Sequence, residues 1–193
     1  MILNDTSSLL THLRTRRSGR PRDLIEPGPD AAQLRDIVTM AARVPDHGKL
    51  GPWRFVAVPT GARGAFAALL RDAYLVDKPD AGRVELEAVD AFARQAPALV
   101  VVLSRPRAES HIPVWEQELS VGAAAMNLLH AAHALGFAGG WVTGWAAYSD
   151  RVRDAFGGAG ERIAGFVFIG TPRAALEERP RPDIDQLLSV WTG

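Results

Sequence analysis

Two uninterrupted apolar runs constrain the fold of this chain more than any other feature. They are Ala98–Leu103 (ALVVVL), directly after Pro97, and Ile163–Ile169 (IAGFVFI), directly before Gly170-Thr171-Pro172. A strand that is apolar on both faces must be covered on both. Each run therefore predicts a strand inside a sheet with helices above and below it. The rest of the chain supplies the covers. Residues 5–15 suit a short helix with Leu9, Leu10 and Leu13 on one face. Residues 16–29 read as a loop, because Gly19, Pro21, Pro27, Gly28 and Pro29 all oppose a helix. Asp30 is placed to cap the next helix, with Gln33 at the capping-box position and Leu34, Ile37, Val38, Ala41 and Ala42 at helical spacing. Pro45 ends it. A strand is predicted over Trp53–Val58, helices over about 61–75 and 80–94, and a long helix from about Val114 to Leu135 that stops at Gly136. Ala138–Val142 reads as a further strand, and Ser149–Phe156 as a short helix with Ser149 as its cap. A tail follows the last strand. It carries Arg179-Pro180-Arg181-Pro182 and a short amphipathic piece with Ile184, Leu187, Leu188 and Trp191. Because helices come in pairs, a regular βαβ repeat is excluded. The expectation is an α+β chain, one domain over 1–193, with helices on both faces of a central sheet of mixed strand direction.

Composition removes several function classes. With no cysteine, disulfide scaffolds, zinc ribbons, iron–sulfur clusters and thiol catalysis are all excluded. Twenty-two basic residues balance 22 acidic ones, so the basic excess of a general nucleic-acid binder is missing. The longest apolar stretch, Leu119–Leu135, is interrupted by Asn127, His130 and His133 and preceded by Glu116 and Glu118. It reads as a buried core helix, not a membrane span. Met1–Asp5 has no basic leader pattern, so a cytoplasmic protein is expected. No glycine-rich turn of the Rossmann or P-loop type follows any strand, and no GxSxG is present.

Three segments carry residue types suited to chemistry. Arg14–Arg22 holds five arginines in nine residues, without an acid. The guanidinium fork matches phosphate oxygens, and Ser18 adds a hydroxyl, so this is either an anion site or a solvated basic loop. The segment Arg43-Val44-Pro45-Asp46-His47-Gly48 stops a helix and enters the aromatic strand at Trp53. His47 could act as base, hydrogen-bond donor or metal ligand, or the segment could be a turn in which Asp46 caps the backbone. Gly136–Gly144 is rich in small residues, which permits close approach to a flat ligand or simply a tight helix-to-strand connection. His130 and His133, at i, i+3, have metal-ligand spacing but no matching acid, and a core or interface role competes with it.

Together these segments resemble the nitroreductase family. The resemblance is carried by Arg16-Arg17-Ser18-x-Arg20; by Pro45-Asp46-His47-Gly48 with Pro52-Trp53-Arg54-Phe55; by Trp115-Glu116-Gln117-Glu118-Leu119-Ser120; by Leu135-Gly136-Phe137; by Trp141-x-Thr143-Gly144; and by Ile169-Gly170-Thr171-Pro172. It implies a three-layer αβα sandwich and an obligate homodimer with FMN at the subunit interface. It implies that Arg16, Arg17 and Ser18 hold the FMN phosphate and ribityl chain and that Arg20 sits near the pyrimidine edge of the flavin. By the same resemblance Arg43, Pro45, Asp46 and His47 contact FMN, partly from the second subunit, and Trp141, Val142, Thr143 and Gly144 set backbone groups beside the ring. Arg179 and Arg181 would form a C-terminal basic pair at the phosphate. Ala131, Ala132, His133, Ala134, Leu135 and Gly136 would meet NADH or NADPH. The chain departs from the family pattern at Gly51, where glutamine is common, and at Val142, where arginine is frequent and whose apolar side chain would make the pocket more apolar.

The implied activity is an FMN-dependent NAD(P)H oxidoreductase that reduces nitroaromatic, quinone or similar electron-poor acceptors, with no catalytic side chain, no metal, no nucleic acid and no membrane. Reductive dehalogenation and flavin fragmentation are other reactions of the family. A flavin-binding or regulatory dimer without turnover, a metal hydrolase built on His47, His111, His130 or His133, and an RNA-binding module using Arg14–Arg22 are the competing classes.

Overall fold

The structure is a computed structural model and describes residues 2–193. Helix α1 spans Leu9–Thr15 and is capped by Ser8, whose Oγ accepts from the Thr11 amide at 3.0 Å. Strand β1 is two residues, Leu24–Ile25. Helix α2 covers Ala31–Ala41 and opens with the expected capping box. Asp30 Oδ1 accepts from the Gln33 amide at 2.8 Å, and Gln33 Oε1 accepts from the Asp30 amide at 3.0 Å. Strand β2 is Trp53–Ala57. Helices α3 (Arg63–Asp77) and α4 (Arg83–Ala93) follow, then β3 (Ala98–Ser104) and the long α5 (Val114–Ala134). Strand β4 (Ala138–Val142), α6 (Asp150–Phe156) and β5 (Arg162–Pro172) complete the sequence of elements before the tail.

Strand β5 lies at the centre. It pairs with β3 on one side and, on the other, with β4 at Phe166–Gly170 and then with β1 at Thr171–Pro172. Strand β2 pairs with the far side of β3. Every one of these ladders is antiparallel, which corrects the expectation of a mixed sheet. The cause is the helix pairing itself. A strand followed by two antiparallel helices returns to the end where it left off, so β3 must run against β2. Strands β3 and β4, joined through α5 alone, do run the same way, but β5 is inserted between them.

The two faces of the sheet carry separate cores. Val100, Val102, Val167 and Ile169 face α2 and α5 through Ile37, Ala41, Val121, Ala125 and Leu128. Leu99, Val101, Leu103, Phe166 and Phe168 face α3, α4 and α6 through Phe66, Leu70, Ala93 and Val152. The three layers expected from the sequence are therefore present. At roughly 25 cal/mol per Å² of apolar area, burial on both faces of β3 and β5 is the main drive for the sandwich. Among the described residues no helix is long and apolar enough to cross a membrane.

Two local expectations change. Ser149 occupies the N-cap position of α6, but its side chain makes no capping bond. On α1 the leucine face points outward, with Leu9, Leu10 and Leu13 all more than half exposed, while the opposite face buries His12 and Thr15.

Candidate functional site

The arginine loop leaves α1 at its last turn and is drawn onto the end of the sheet. The Gly19 amide donates to Gly139 O in β4 at 2.9 Å. A side chain at Gly140 would run into Gly19 O, so a glycine is what permits this approach. The Arg17 amide donates to Asn4 Oδ1 at 2.6 Å, which seats the N-terminal segment under the loop.

The tail then folds back across the same loop. Arg17 Nε donates to Glu177 O at 2.8 Å, Arg20 Nη2 to Glu177 Oε2 at 3.2 Å, and Arg181 Nη2 to Arg16 O at 3.2 Å and Glu178 Oε1 at 2.9 Å. Arg16 lies in the middle. Its Nη2 donates to Ser18 Oγ at 3.1 Å, and its Nε is buried with no partner among the described residues. Burial, followed by the charges of Arg181, Arg17 and Arg179, pulls its proton affinity below the ordinary value, with Glu178 opposing. An arginine does not give up its proton at working pH. The depression reflects burial first and the surrounding positive charge second. A cavity of about 200 Å³ opens beside Arg17 and Arg20, lined also by Ser18, Asp23, Leu24 and Pro172–Glu177. This arrangement is suited to receive a small anion.

The second segment is a built turn. Ser120 Oγ donates to Pro45 O at 2.6 Å, and the Asp46 carboxylate accepts from the Leu50 amide at 3.1 Å and the Gly51 amide at 2.9 Å. Both Asp46 oxygens are thereby engaged in the turn. Gly51, at the departure from the family pattern, has φ +57°, a left-handed value that favours glycine. His47 Nδ1 lies 2.8 Å from Glu116 Oε2 at the start of α5. Arg43 is exposed, and its carbonyl accepts from Asn127 Nδ2 at 3.4 Å. Among the described residues no hydrogen bond or ion pair joins this turn to the arginine loop.

At the end of β4 the Trp141 indole crosses to β5. Its Nε1 donates to Ala164 O at 3.0 Å. That carbonyl is free because Ala164 is the extra residue of a bulge, lying between the β3 partners Gly165 and Ile163. Val142 turns the other way and packs on the α3–α4 core, so its side chain fills the core and not a pocket. Thr143 and Gly144 are exposed, Gly144 with φ +88°. Of the segment Ala131–Gly136, the first three residues are buried and only Ala134, Leu135 and Gly136 are exposed. Gly136 lines a groove of about 530 Å³ together with Asn4 and Pro172. Among the described residues no group of histidines and acids is arranged to hold a metal ion.

Sequence reasoning missed the tail acid Glu177, because nothing local marks its contacts with Arg17 and Arg20 about 160 positions away. It also missed Glu116 as the partner of His47, because the two lie 69 positions apart. His12 went unnoticed as a companion of His130, since it lies on a different helix.

The chain is thus an αβα sandwich with an arginine cluster at the end of its sheet. The chain belongs to the nitroreductase family, whose model matches residues 13–171. It is 34% identical over 151 residues to the Escherichia coli (strain K12) protein named "Putative NAD(P)H nitroreductase YdjA", spanning 78% of this chain and 81% of that one. It is 35% identical over 174 residues to a Haemophilus influenzae protein named "Putative NAD(P)H nitroreductase", spanning 89% and 92% of the two chains. Among solved structures, a nitroreductase-like protein from Bacillus cereus superposes with a TM-score of 0.80 at 20% identity, covering 97% of both chains. A nitroreductase with bound FMN from Bacteroides fragilis superposes with a TM-score of 0.71 at 21% identity, covering 96% of this chain and all of that one.

Proposed function

We propose that the chain is one FMN-binding unit over 1–193 and acts as an FMN-dependent NAD(P)H oxidoreductase of nitroreductase type, assembled as a homodimer. The observation that carries the reading is the Arg16 cluster: three arginines from two ends of the chain, Arg17, Arg179 and Arg181, around the half-buried Arg16 guanidinium, whose Nε is unpartnered among the described residues. A dianionic phosphate supplies the acceptors that this cluster lacks. The relatives' names and the FMN in family structures point the same way.

In this reading Arg16, Arg17, Ser18, Arg179 and Arg181 bind the FMN phosphate and ribityl chain. Arg20 stands toward the pyrimidine edge, where a cation favours the reduced, anionic form of a flavin. The backbone of Thr143–Gly144 borders the ring. Arg43, Pro45 and His47 close the site from the second subunit, with Glu116 orienting the His47 imidazole. The exposed Leu9, Leu10, Leu13, Trp115 and Leu119 and the exposed tail residues Ile184, Leu187 and Trp191 form the apolar surface that such a dimer needs. The chemistry that bound FMN supplies is two-electron exchange, from NADH or NADPH to a flat electron-poor acceptor, in a ping-pong sequence. The protein's residues orient the two planar reactants and exclude water; no side chain has to act as nucleophile or base.

The test is an anaerobic visible spectrum of the purified protein, loaded with FMN and freed of excess, before and after NADH or NADPH. Retained flavin that bleaches with either nucleotide is expected. Retained flavin that bleaches with neither would move the protein to a binding role without turnover, and no retained flavin would refute the cofactor assignment. Sedimentation that finds an FMN-loaded, active monomer would refute the two-subunit site.

A further inference from the structure

Three of the five histidines meet at one place, under α1. His12 lies on α1, and His130 and His133 lie on α5. His12 Nε2 and His130 Nδ1 are 2.9 Å apart, so one donates and the other accepts. The His12 ring centroid is 5.0 Å from that of His130 and 5.2 Å from that of His133, edge-on to both. His133 is 2% exposed, and neither of its ring nitrogens has a partner. Of five buried side-chain polar atoms without a partner among the described residues, four belong to His12, His133 and Arg16. Unpaired polarity is thus concentrated here.

The electrostatic surroundings have one sign. Arg16 follows His12 by one turn, and the tail brings Arg179 and Arg181 around Arg16, with Glu178 as the opposing acid there. From α2 the neighbour is the uncharged Met40. From the N-terminal segment, Asp5 is turned onto the Ser7 amide at 2.8 Å. Among the described residues no carboxylate acts on any of the three imidazoles. Burial first, then repulsion from Arg16 and, for His130 and His133, from neighbouring imidazoles, holds all of them below the ordinary histidine value, His133 at about 3.

The attachment of α1 depends on this cluster. Its only buried residues are His12 and Thr15. If both His12 and His130 take a proton, neither nitrogen can accept and their hydrogen bond is lost. In the single chain a cleft of about 480 Å³, lined by Leu9, His12, Leu13, Asn127 and His130, reaches the His12 and His130 rings. Arg16 is the C-cap residue of α1, so whatever frees the helix also frees the arginine loop.

We propose that the His12–His130–His133 cluster is an acid-operated latch: neutral, it seats α1 on α5 and fixes Arg16–Ser18; protonated, it releases the helix and, with it, the phosphate of the bound flavin. The flavin half of the statement rests on the FMN reading above. Imidazoles whose affinity for protons is depressed in the closed state favour closure above the ordinary value of 6.5, and that advantage disappears as pH falls below it toward about 3. Between pH 7.5 and 5.5 each fully suppressed imidazole raises the opening constant about tenfold.

The experiment measures hydrogen exchange of the amides in 9–18, corrected for intrinsic rates, on apo- and FMN-loaded full-length protein at pH 7.5 and 5.5, together with FMN retention by fluorescence. The wild type is expected to open more than tenfold more often at pH 5.5 and to lose FMN in parallel. His133→Leu removes two orphaned ring nitrogens in favour of apolar contact and is expected to open about tenfold less steeply with pH. Protection of α1 that is flat with pH, or an equal response in His133→Leu and wild type, would overturn the latch. Should His133→Leu not fold, an NMR titration of the wild-type imidazoles decides: His133 titrating near 6.5 with α1 still protected overturns it. Helix opening with FMN retained equally at both pH values overturns the coupling. Helix opening in a protein that retains no FMN even at pH 7.5 supports the latch and overturns the FMN reading alone.

Discussion

Replacing Arg16 with methionine separates folding from binding, because the two respond with opposite sign. In the empty protein the Arg16 guanidinium is half-buried, its Nε is unpartnered, and Arg17, Arg179 and Arg181 all repel it. Among the described residues its one side-chain hydrogen bond goes to Ser18 at 3.1 Å. That bond contributes about 1 kcal/mol. Relief of the unpaired donor, and of repulsion discounted for solvent, offsets it by about 1–2 kcal/mol. Methionine keeps the apolar contacts of the stem, and the Arg16 carbonyl that receives Arg181 is untouched. The apo-protein is therefore expected to be unchanged or more stable by up to about 1 kcal/mol, which for a chain of this length is a rise in Tm of roughly 2–4 °C. FMN binding changes in the other direction. Loss of one buried charge-assisted contact to a phosphate costs about 2–3 kcal/mol, or roughly 30- to 150-fold in Kd. Calorimetry on the apo-protein and fluorescence titration with FMN read the two effects independently. A variant that is clearly less stable as apo-protein yet binds FMN with wild-type affinity would refute both the charge argument and the phosphate assignment.

Glu177→Gln frees Arg20 from its carboxylate partner, and is expected to tighten FMN about 2- to 5-fold, an effect that fades at high salt; unchanged affinity at low salt would argue against Arg20 facing the flavin. Arg20→Ala is expected to lower the flavin reduction potential, measured by dye equilibration, since a cation near the reduced ring is lost. Arg63 is 4% exposed and donates to Val58 O at 3.0 Å, Ala93 O at 2.8 Å and Gln95 O at 3.1 Å. Burial lowers its pKa to about 10, so it remains charged at neutral pH. Arg63→Ala orphans these carbonyls and should destabilise by about 3–5 kcal/mol in urea unfolding, with Arg63→Lys recovering part of the loss. Glu161 is held below the usual carboxylate range, chiefly by its hydrogen bonds to Arg54. The stability it contributes is present above pH ~4.5 and is lost as pH falls, so Glu161→Gln should flatten the acid limb of the stability curve.

What could be read in advance, and what could not, follows the range of the interactions involved. Strands β3 and β5 are legible because burial on both faces removes the polar alternation that any other placement would demand. The capping box at Asp30 is legible because both its partners lie within three residues. The arginine loop is legible only as a cluster of cations: its composition leaves an anion site and a solvated loop both open, and Glu177, which pairs with Arg20, comes from the tail about 160 positions on. Strand β1 carries no pattern of its own. It exists because β5 runs two residues past the end of β4 and exposes a sheet edge that Leu24–Ile25 covers. Helix α1 is the most instructive case, because its periodicity is real and its apparent orientation is inverted. Leu9, Leu10 and Leu13 form the apolar stripe that normally faces a core, yet they are exposed and the helix is held by His12 and Thr15 on the other side. A stripe that finds no core in its own chain is a demand for another surface. On the dimer reading, a second copy covers the leucines while His12 holds the opposite face against α5. The helix that positions Arg16 is then clamped between an apolar contact that pH does not touch and an imidazole contact that acid opens, so the dimer sets how far below 6.5 the latch must be driven before it releases.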